Sequence, residues 1–292
     1  MDEAIQPINV QSAKQKIKSY SHNPGSLILA GLVGLAALLT VLTLVFIVGY
    51  ILIKGIPNLT PELFQLEYNS ENVSMFPAII NTICMTVLSL LIAGPLGILA
   101  AVYLVEYAKK GNKLVSLVRV TAETLTGIPS IVYGLFGMLF FVTTLHWGYS
   151  MLAGAFTLAI MVLPVIMRTT EEALLSVPDT FREASFGLGA GRLRTIFVVI
   201  LPSAVPGIFS GVILSIGRIV GETAALMYTA GTVAELPKSV MSSTRTLSVH
   251  MYSLASEGLY VDQAYATAVV LLLIVLIINR ISGRIARKIK KG

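Results

Sequence analysis

Six long apolar runs constrain the fold of this chain more than any other feature of its sequence. Because a helix rises about 1.5 Å per residue, about 20 apolar residues cross a hydrocarbon core about 30 Å thick. Charged residues make up only 12% of the chain, against about 25% in soluble domains. The sequence therefore predicts an all-α integral membrane protein with six spans. The runs are 27–53, 78–105, 125–145, 149–167, 196–227 and 264–278.

The Lys and Arg residues indicate how these spans are oriented. Of the 21 in the chain, all but four flank the runs on one side. The exceptions are Lys54, Lys238 and Arg245 on the opposite side, and Arg218 within a run. The positive-inside rule therefore predicts that both termini are cytoplasmic. The predicted segments are a cytoplasmic tail at 1–26, a six-span domain at 27–278 with a cytoplasmic loop at 168–195, and a basic cytoplasmic tail at 279–292.

The composition also excludes several classes of protein. A net charge of +6 would suit a nucleic-acid binder if the basic residues shared one solvated face, but here they flank the apolar runs. Membrane lipid is therefore the predicted surrounding, and no nucleic acid is expected. The single Cys84 excludes an intramolecular disulfide and a multi-cysteine metal site. The first run is much longer than the apolar segment of a signal peptide, so we expect it to remain as a span.

The loop between the fourth and fifth runs contains the signature of a short helix. Ser176 followed three residues later by Asp179, with Pro178 between them, predicts where the helix starts. Three glycines predict its end, namely Gly187, Gly189 and Gly191. Three apolar residues spaced three and four apart share one face, namely Phe181, Ala184 and Leu188. This face either rests on the membrane or on the protein's own bundle, or it docks into a groove of a cytoplasmic partner.

A spaced set of residues in the same loop resembles a family motif. The set is Glu183-Ala184-Ser185, Gly189, Val199 and Leu201-Pro202. It resembles the EAA loop of the permeases of binding-protein-dependent ABC importers, with Ser185 in place of the second Ala and Val199 in place of Ile. In that family the loop forms a coupling helix that docks on the ATPase subunit. Three further segments, at 123–137, 159–174 and 217–231, are similar to the phosphate permeases called PstA.

The resemblance implies a fold, a function and partners. The implied fold is the six-span type I (MetI-like) helical bundle of ABC-importer permeases in the bacterial cytoplasmic membrane. The implied function is import of inorganic phosphate, with this chain forming half of the pathway and acting as a transporter subunit, not an enzyme. No phosphate-binding G-x-x-x-x-G-K-[ST] segment occurs in the sequence. ATP and Mg are accordingly expected on a PstB-like ATPase dimer, alongside a PstC-like second permease and a PstS-like phosphate-binding protein. Phe181 and Leu188 would form the ATPase-docking face.

Charged residues within the membrane point to the substrate pathway. Arg218 and Glu222 are four residues apart in the fifth run and would share a helical face. An Arg at the bilayer centre costs about 2.5–3.5 kcal/mol on insertion scales, so it must face protein or water. A guanidinium matches two oxygens of a tetrahedral oxyanion. The alternative is an intrahelical ion pair that neutralises itself. Arg168, at the inner end of the fourth run, lines the exit path or reaches the interface as a snorkelling residue.

Two neighbouring features support predictions about packing rather than chemistry. Arg119 and Glu123, again four residues apart, are predicted to form an interfacial pair. Small residues recur every four positions in the fifth run, which favours close helix packing. They are Gly207, Gly211 and Ser215, and then Gly217, Gly221 and Ala225. The long connection at 229–263 predicts a packed or partner-binding structure.

Three alternatives compete with phosphate import. The same type of importer could carry another oxyanion, such as sulfate, molybdate or phosphonate. A secondary transporter would normally contain paired halves within one chain, and no duplicated set of spans is evident. A membrane enzyme would need polar groups placed together at an interface, whereas the histidines are scattered along the chain at His22, His146 and His250.

Overall fold

The computed structural model describes residues 24–109 and 111–289, and these residues form helices joined by loops and turns, with no strand. The predicted tail at 1–26 lies almost entirely outside the described residues. The α-helices are α1 Pro24–Gly55, α2 Phe76–Val102, α3 Lys113–Thr126, α4 Ser130–Gly137, α5 Met151–Leu175, α6 Asp179–Gly187, α7 Arg192–Arg194, α8 Leu201–Gly221, α9 Ala224–Thr229, α10 Leu247–Glu257 and α11 Val261–Ile289.

Three π-helical segments extend or join these helices. They are Tyr103–Tyr107 after α2, Met138–Thr144 after α4, and Thr195–Ile200 between α7 and α8. Among the described residues, five helices are long and apolar enough to cross a membrane, and a bent pair supplies a sixth crossing if it counts as one span. Residues 24–53 form a compact unit of their own, and the residues from Lys54 onward form a second.

The third predicted run, 125–145, is not one straight helix. Its first residues complete α3, which Asn112 caps by accepting a hydrogen bond from the Leu114 N–H. The chain then turns by 104° before α4. Pro129 explains the break, because a residue that precedes proline is disfavoured in the α region. The third run is therefore divided between two helices that meet at a sharp bend.

The other runs differ from the helices mainly at their ends. The fifth run was predicted to continue to Met227, but α8 ends at Gly221 and α9 is a separate helix. The backbone of Glu222 is extended (φ −73°, ψ 126°), which breaks the helix there. The fourth run continues beyond Met167 to Leu175, so the first part of the predicted loop 168–195 is helical. Much of the predicted tail at 279–292 is also helical, because α11 reaches Ile289.

Helix α5 is the centre of the bundle, with most of its side chains buried. Gly97 of α2 lies against Ile166, and Met85 of α2 lies against Gly154. These two contacts show that α2 and α5 run parallel. On the other side of α5, α8 packs in the opposite direction. Its glycines contact α5 side chains, with Gly207 against Ala173 and Gly211 against Thr169.

The first small-residue repeat therefore packs as predicted, whereas of the second only Ala225 is in close contact, with Gly134 of α4. A Cβ atom added at Gly211 would overlap the Thr169 side chain, whereas one added at Gly217 or Gly221 would meet no described atom within 4 Å. Close approach of two helices is what small residues permit. We infer that only the half of α8 nearer the cytoplasmic loop needs them for packing against α5.

Replacing Gly211 with alanine is expected to lower the free energy of unfolding by about 1–3 kcal/mol, because the added methyl group overpacks the α5–α8 contact. The matched control is Gly217→Ala in the same helix. It adds a methyl group where nothing is in contact, and is expected to be neutral or to stabilise by up to about 1 kcal/mol through helix propensity. Denaturant unfolding in detergent measures both, and equal effects of the two substitutions would contradict the packing argument.

The connection predicted at 229–263 is packed onto the bundle. The Leu247 N–H donates to Thr82 Oγ1 of α2 at 2.8 Å, and the Thr244 N–H donates to the Ala230 carbonyl at 3.0 Å. Helix α10 lies within this connection and carries His250, which is fully buried. Burial and the nearby Arg245 charge lower the pKa of His250 to about 3. His250 is therefore neutral at physiological pH.

Candidate functional site

Arg218 lies near the C-terminal end of α8, on the same side as the glycines that pack against α5. The 3.6-residue period places Arg218 on the same side of α8 as Gly207 and Gly211. Arg218 follows Gly211 by seven residues, which is two helical turns. Because α8 and α5 are antiparallel and Gly211 contacts Thr169, Arg218 is level with Val162, seven residues before Thr169 and near the middle of α5. Its charge also acts electrostatically on Tyr133 of α4. Arg218 is therefore at mid-depth in the bundle and faces protein.

Arg218 has no counter-ion among the described residues. It is partly exposed, and it forms no ion pair or hydrogen bond with any side chain or backbone group that the structure describes. An unpaired guanidinium at this depth is costly unless water or an anion solvates it. Its five N–H donors are free to bind an oxyanion in the fork geometry that two oxygens match.

The prediction that Arg218 and Glu222 share one helical face is wrong. Because α8 ends at Gly221, the two residues are not one turn apart on a continuous helix. Glu222 is 8% exposed, and its Oε1 accepts a hydrogen bond from the Ala225 N–H at 3.0 Å, at the start of α9. Its carbonyl accepts from Ser248 Oγ at 2.6 Å. The carboxylate thus caps α9, and the self-neutralising intrahelical pair is excluded.

Arg168 lies within α5, two turns before its end, and takes part in one ion pair with α3 and one within α5 itself. Arg168 Nη1 is 3.2 Å from Glu123 Oε1 of α3, and Nε is 3.4 Å from Glu172 Oε1. Arg119 pairs with Glu171 at 2.5 Å, not with Glu123 as predicted. These side chains line a cavity at the inner end of α3 and α5. Arg168 is thus held by carboxylates, whereas Arg218 is not.

The short helix of the loop, α6, begins and ends close to the predicted residues. Its N-cap is Pro178, and Ser176, predicted as part of the start signal, instead donates from Oγ to the Ala173 carbonyl at the end of α5. Gly189 has φ +81°, in the left-handed region that glycine adopts without strain. The glycine prediction for the helix end is therefore confirmed on backbone geometry.

One side of α6 presents apolar residues outward. Phe181 is 47% exposed and Leu188, which follows the last helical residue, is 90% exposed. Ala184 is also exposed. Sequence reasoning missed Phe186, which is 48% exposed on the same helix, about 140° around it from Phe181. Exposed apolar side chains on a short loop helix indicate a protein interaction surface.

The remaining residues of the resembling motif divide between the surface and the interior. Glu183 and Pro202 are exposed, whereas Ser185 is buried and its Oγ lies 2.8 Å from Thr195 Oγ1. Val199 and Leu201 pack against a buried cluster that includes Leu174 at the end of α5. Part of the motif therefore fixes α6 against the start of the fifth span.

A buried ion pair holds α6 in place, and sequence reasoning missed it. Arg182 Nη2 lies 2.7 Å from Glu106 Oε1, in the π segment after α2. The helical pattern placed Arg182 beside the apolar face but gave no partner for it. Glu106 is 76 residues away in sequence, so no local spacing could reveal the pair.

Comparison with known proteins identifies the family. The model of the "Binding-protein-dependent transport system inner membrane component" family matches residues 93–291. The chain belongs to this family. As expected for a member, it is a transporter subunit of the inner membrane and not a catalytic enzyme, and the family's name implies a substrate-binding protein as partner.

Individual relatives agree with this assignment. The chain is 35% identical over 267 residues to the probable ABC transporter permease protein YqgI of Bacillus subtilis, covering 85% of this chain and 90% of the relative. It is 37% identical over 240 residues to the phosphate transport system permease protein PstA of Pasteurella multocida, covering 81% and 85%. The similarity to PstA permeases predicted from the sequence is therefore confirmed.

The fold also has solved counterparts. A crystal structure of a bacterial alginate ABC transporter, in complex with a pentasaccharide-bound periplasmic protein, contains a chain that superposes with a TM-score of 0.61. The match covers 89% of this chain and 96% of that chain at 22% identity. At this identity the match shows the fold alone. The predicted all-α, MetI-like fold of a type I ABC-importer permease is confirmed.

Proposed function

We propose that this permease subunit belongs to an ATP-driven importer of inorganic phosphate and forms half of the translocation pathway. The observation that carries the proposal is Arg218, a guanidinium in the middle of the bundle with no carboxylate paired to it among the described residues. A pathway for an anion needs such a site, because the anion loses its hydration there. The similarity to PstA permeases favours phosphate among the oxyanions.

Three charged residues have distinct roles in this proposal. Arg218 binds two oxygens of the anion at mid-depth. Glu222 lies four residues later in the chain, beyond the end of α8, and its carboxylate limits how tightly the anion is held, in addition to capping α9. Arg168 receives the anion at the inner end, where Glu123 and Glu172 now occupy its donors. Exchange of these carboxylates for the phosphate would release the anion stepwise toward the cytoplasm.

The proposed complex contains four kinds of subunit. A PstC-like permease supplies the other half of the pathway, a PstB-like ATPase dimer binds ATP and Mg, and a PstS-like protein delivers phosphate from outside. The exposed apolar face of α6, with Phe181 and Leu188, docks into a groove of the ATPase. This arrangement requires both termini and α6 on the cytoplasmic side, as the distribution of basic residues predicts.

Uptake of radiolabelled phosphate tests the proposal. The four-component complex is reconstituted in proteoliposomes with ATP enclosed on the α6 side and the binding protein on the other side. We expect uptake that depends on ATP and on the binding protein, and that excess unlabelled phosphate suppresses but excess sulfate or molybdate does not. Suppression by sulfate or molybdate, with labelled sulfate or molybdate taken up instead, would assign a different oxyanion to the importer.

A further inference from the structure

Arg182 and Glu106 form the most buried ion pair among the described residues. Arg182 is 15% exposed and Glu106 is 10% exposed. Both Nη2 and Nε of Arg182 point at Glu106 Oε1, at 2.7 and 3.1 Å. Two neighbouring donors of one guanidinium that converge on one carboxylate restrict its orientation as well as its distance. The pair therefore joins α6 rigidly to the inner end of α2.

The same guanidinium also binds the end of α5. Nη2 donates to the Leu174 carbonyl at 3.0 Å, and Nη1 donates to the Val177 carbonyl at 3.0 Å. The last carbonyl groups of a helix receive no hydrogen bond from a following turn of the helix, so side-chain donors such as this guanidinium can satisfy them. One side chain thus connects α6 with the inner ends of two spans, α2 and α5.

A second arginine fixes the same π segment from the other end of the loop. Arg192 donates from Nη2 to the Glu106 carbonyl, and its guanidinium lies 4.8 Å from the centre of the Tyr107 ring. Because Arg182 precedes the glycine-rich turn and Arg192 follows it, both ends of the α6 loop are attached to Tyr103–Tyr107. Both contacts link displacement of the loop to displacement of this segment.

We propose that Glu106 and Arg182 are a positioning pair that transmits motion of α6 to the second span. A buried ion pair seldom adds stability over apolar packing, so stability alone does not account for it. Displacement of α6 moves Arg182, and the paired carboxylate then moves the inner end of α2. Since α2 packs along α5, the displacement reaches the pathway. This inference rests on the proposed docking of α6 on an ATPase.

A double-mutant cycle tests the pair in the reconstituted four-component complex. Glu106→Gln, Arg182→Gln and the double variant are compared for phosphate imported per ATP hydrolysed in the same vesicles. We expect each single variant to lower this ratio by about tenfold. The double variant is expected to lower it no further than Arg182→Gln alone, because each single variant already breaks the contact between the two side chains. An unchanged ratio in the single variants, or losses that multiply in the double variant, would overturn the proposal.

Asp179→Asn is the matched control. Its carboxylate is 3.1 Å from Nη1 of the same guanidinium but is 87% exposed, so this contact is screened by solvent. We expect its import ratio to equal that of the parent. If Arg182→Gln prevents assembly, Arg182→Lys keeps the charge while removing the planar fork. The same tenfold loss is expected, and a parental ratio in Arg182→Lys would count against the pair.

The test separates this proposal from the proposed substrate. If the parent complex imports no phosphate, the phosphate assignment is contradicted. The role of Glu106 and Arg182 can still be tested by a second measurement, the stimulation of ATP hydrolysis by the binding protein. We expect this stimulation in the parent and in Asp179→Asn, and its loss in Glu106→Gln. Equal stimulation in Glu106→Gln and in the parent would overturn the positioning role whichever anion is carried.

Discussion

Replacing Arg218 with glutamine is expected to reduce phosphate uptake by about 100-fold or more. A hydrogen bond to a charged group contributes about 1.5–3 kcal/mol, so loss of two such bonds corresponds to a factor of about 10² to 10⁴ in affinity. Glutamine keeps polar atoms and much of the length of the side chain but removes the positive charge and the planar set of N–H donors of the guanidinium. Arg218→Lys keeps the charge alone and is expected to retain part of the uptake.

The control for this prediction is Arg284→Gln. Arg284 is an exposed arginine near the inner end of α11, so its substitution makes the same chemical change away from the bundle interior. Initial rates of labelled phosphate uptake in proteoliposomes compare the variants. Parental uptake by Arg218→Gln, in complexes that assemble normally, would remove Arg218 from the pathway.

Placing a carboxylate on the exposed face of α6 is expected to detach the ATPase. Leu188 is 90% exposed, so Leu188→Asp disturbs no packing within this chain. In the docked complex a buried leucine side chain contributes about 1.5–3 kcal/mol, and an unpaired carboxylate in an apolar groove costs more. We therefore expect affinity for the ATPase to fall about 100-fold, with a parallel loss of uptake. Co-purification of the ATPase with the permeases measures the affinity change.

Thr180→Asp provides the control on the same helix. Thr180 is exposed and about 100° around the helix from Phe181, so its substitution adds the same charge to the same helix without replacing an apolar side chain. A negative charge in the first turn also suits the helix dipole. We expect normal recovery of the ATPase with this variant. Equal losses with Thr180→Asp and Leu188→Asp would show that added charge, not the apolar face, decides docking.

Local patterns predicted the helical elements well because hydropathy and turn chemistry act over short distances. The apolar runs located the spans to within a few residues at most ends, since about 20 apolar residues suffice for a crossing. Gly189 marked the end of α6, since its backbone adopts a left-handed conformation. The exposed apolar residues of α6 also followed from their spacing alone.

The pairing of charged residues could not be predicted in the same way. The four-residue spacing of Arg218 and Glu222, and that of Arg119 and Glu123, suggested pairs along one helix. In the folded chain Glu222 caps α9, and Arg119 pairs with Glu171 of another helix. A four-residue spacing predicts an ion pair only where one helix continues through both residues and no oppositely charged residue from another helix is closer.

The sequence by itself determined that this protein spans a membrane, that it presents a short helix in a loop, and that it belongs with ABC-importer permeases. Only the tertiary structure decided that Arg218 lacks a counter-ion among the described residues, that the third apolar run is divided by a sharp bend, and that Glu106 holds Arg182. The reason is physical. Apolar periodicity and caps are set by neighbours along the chain, whereas ion pairs across 76 residues are set by the register in which helices pack.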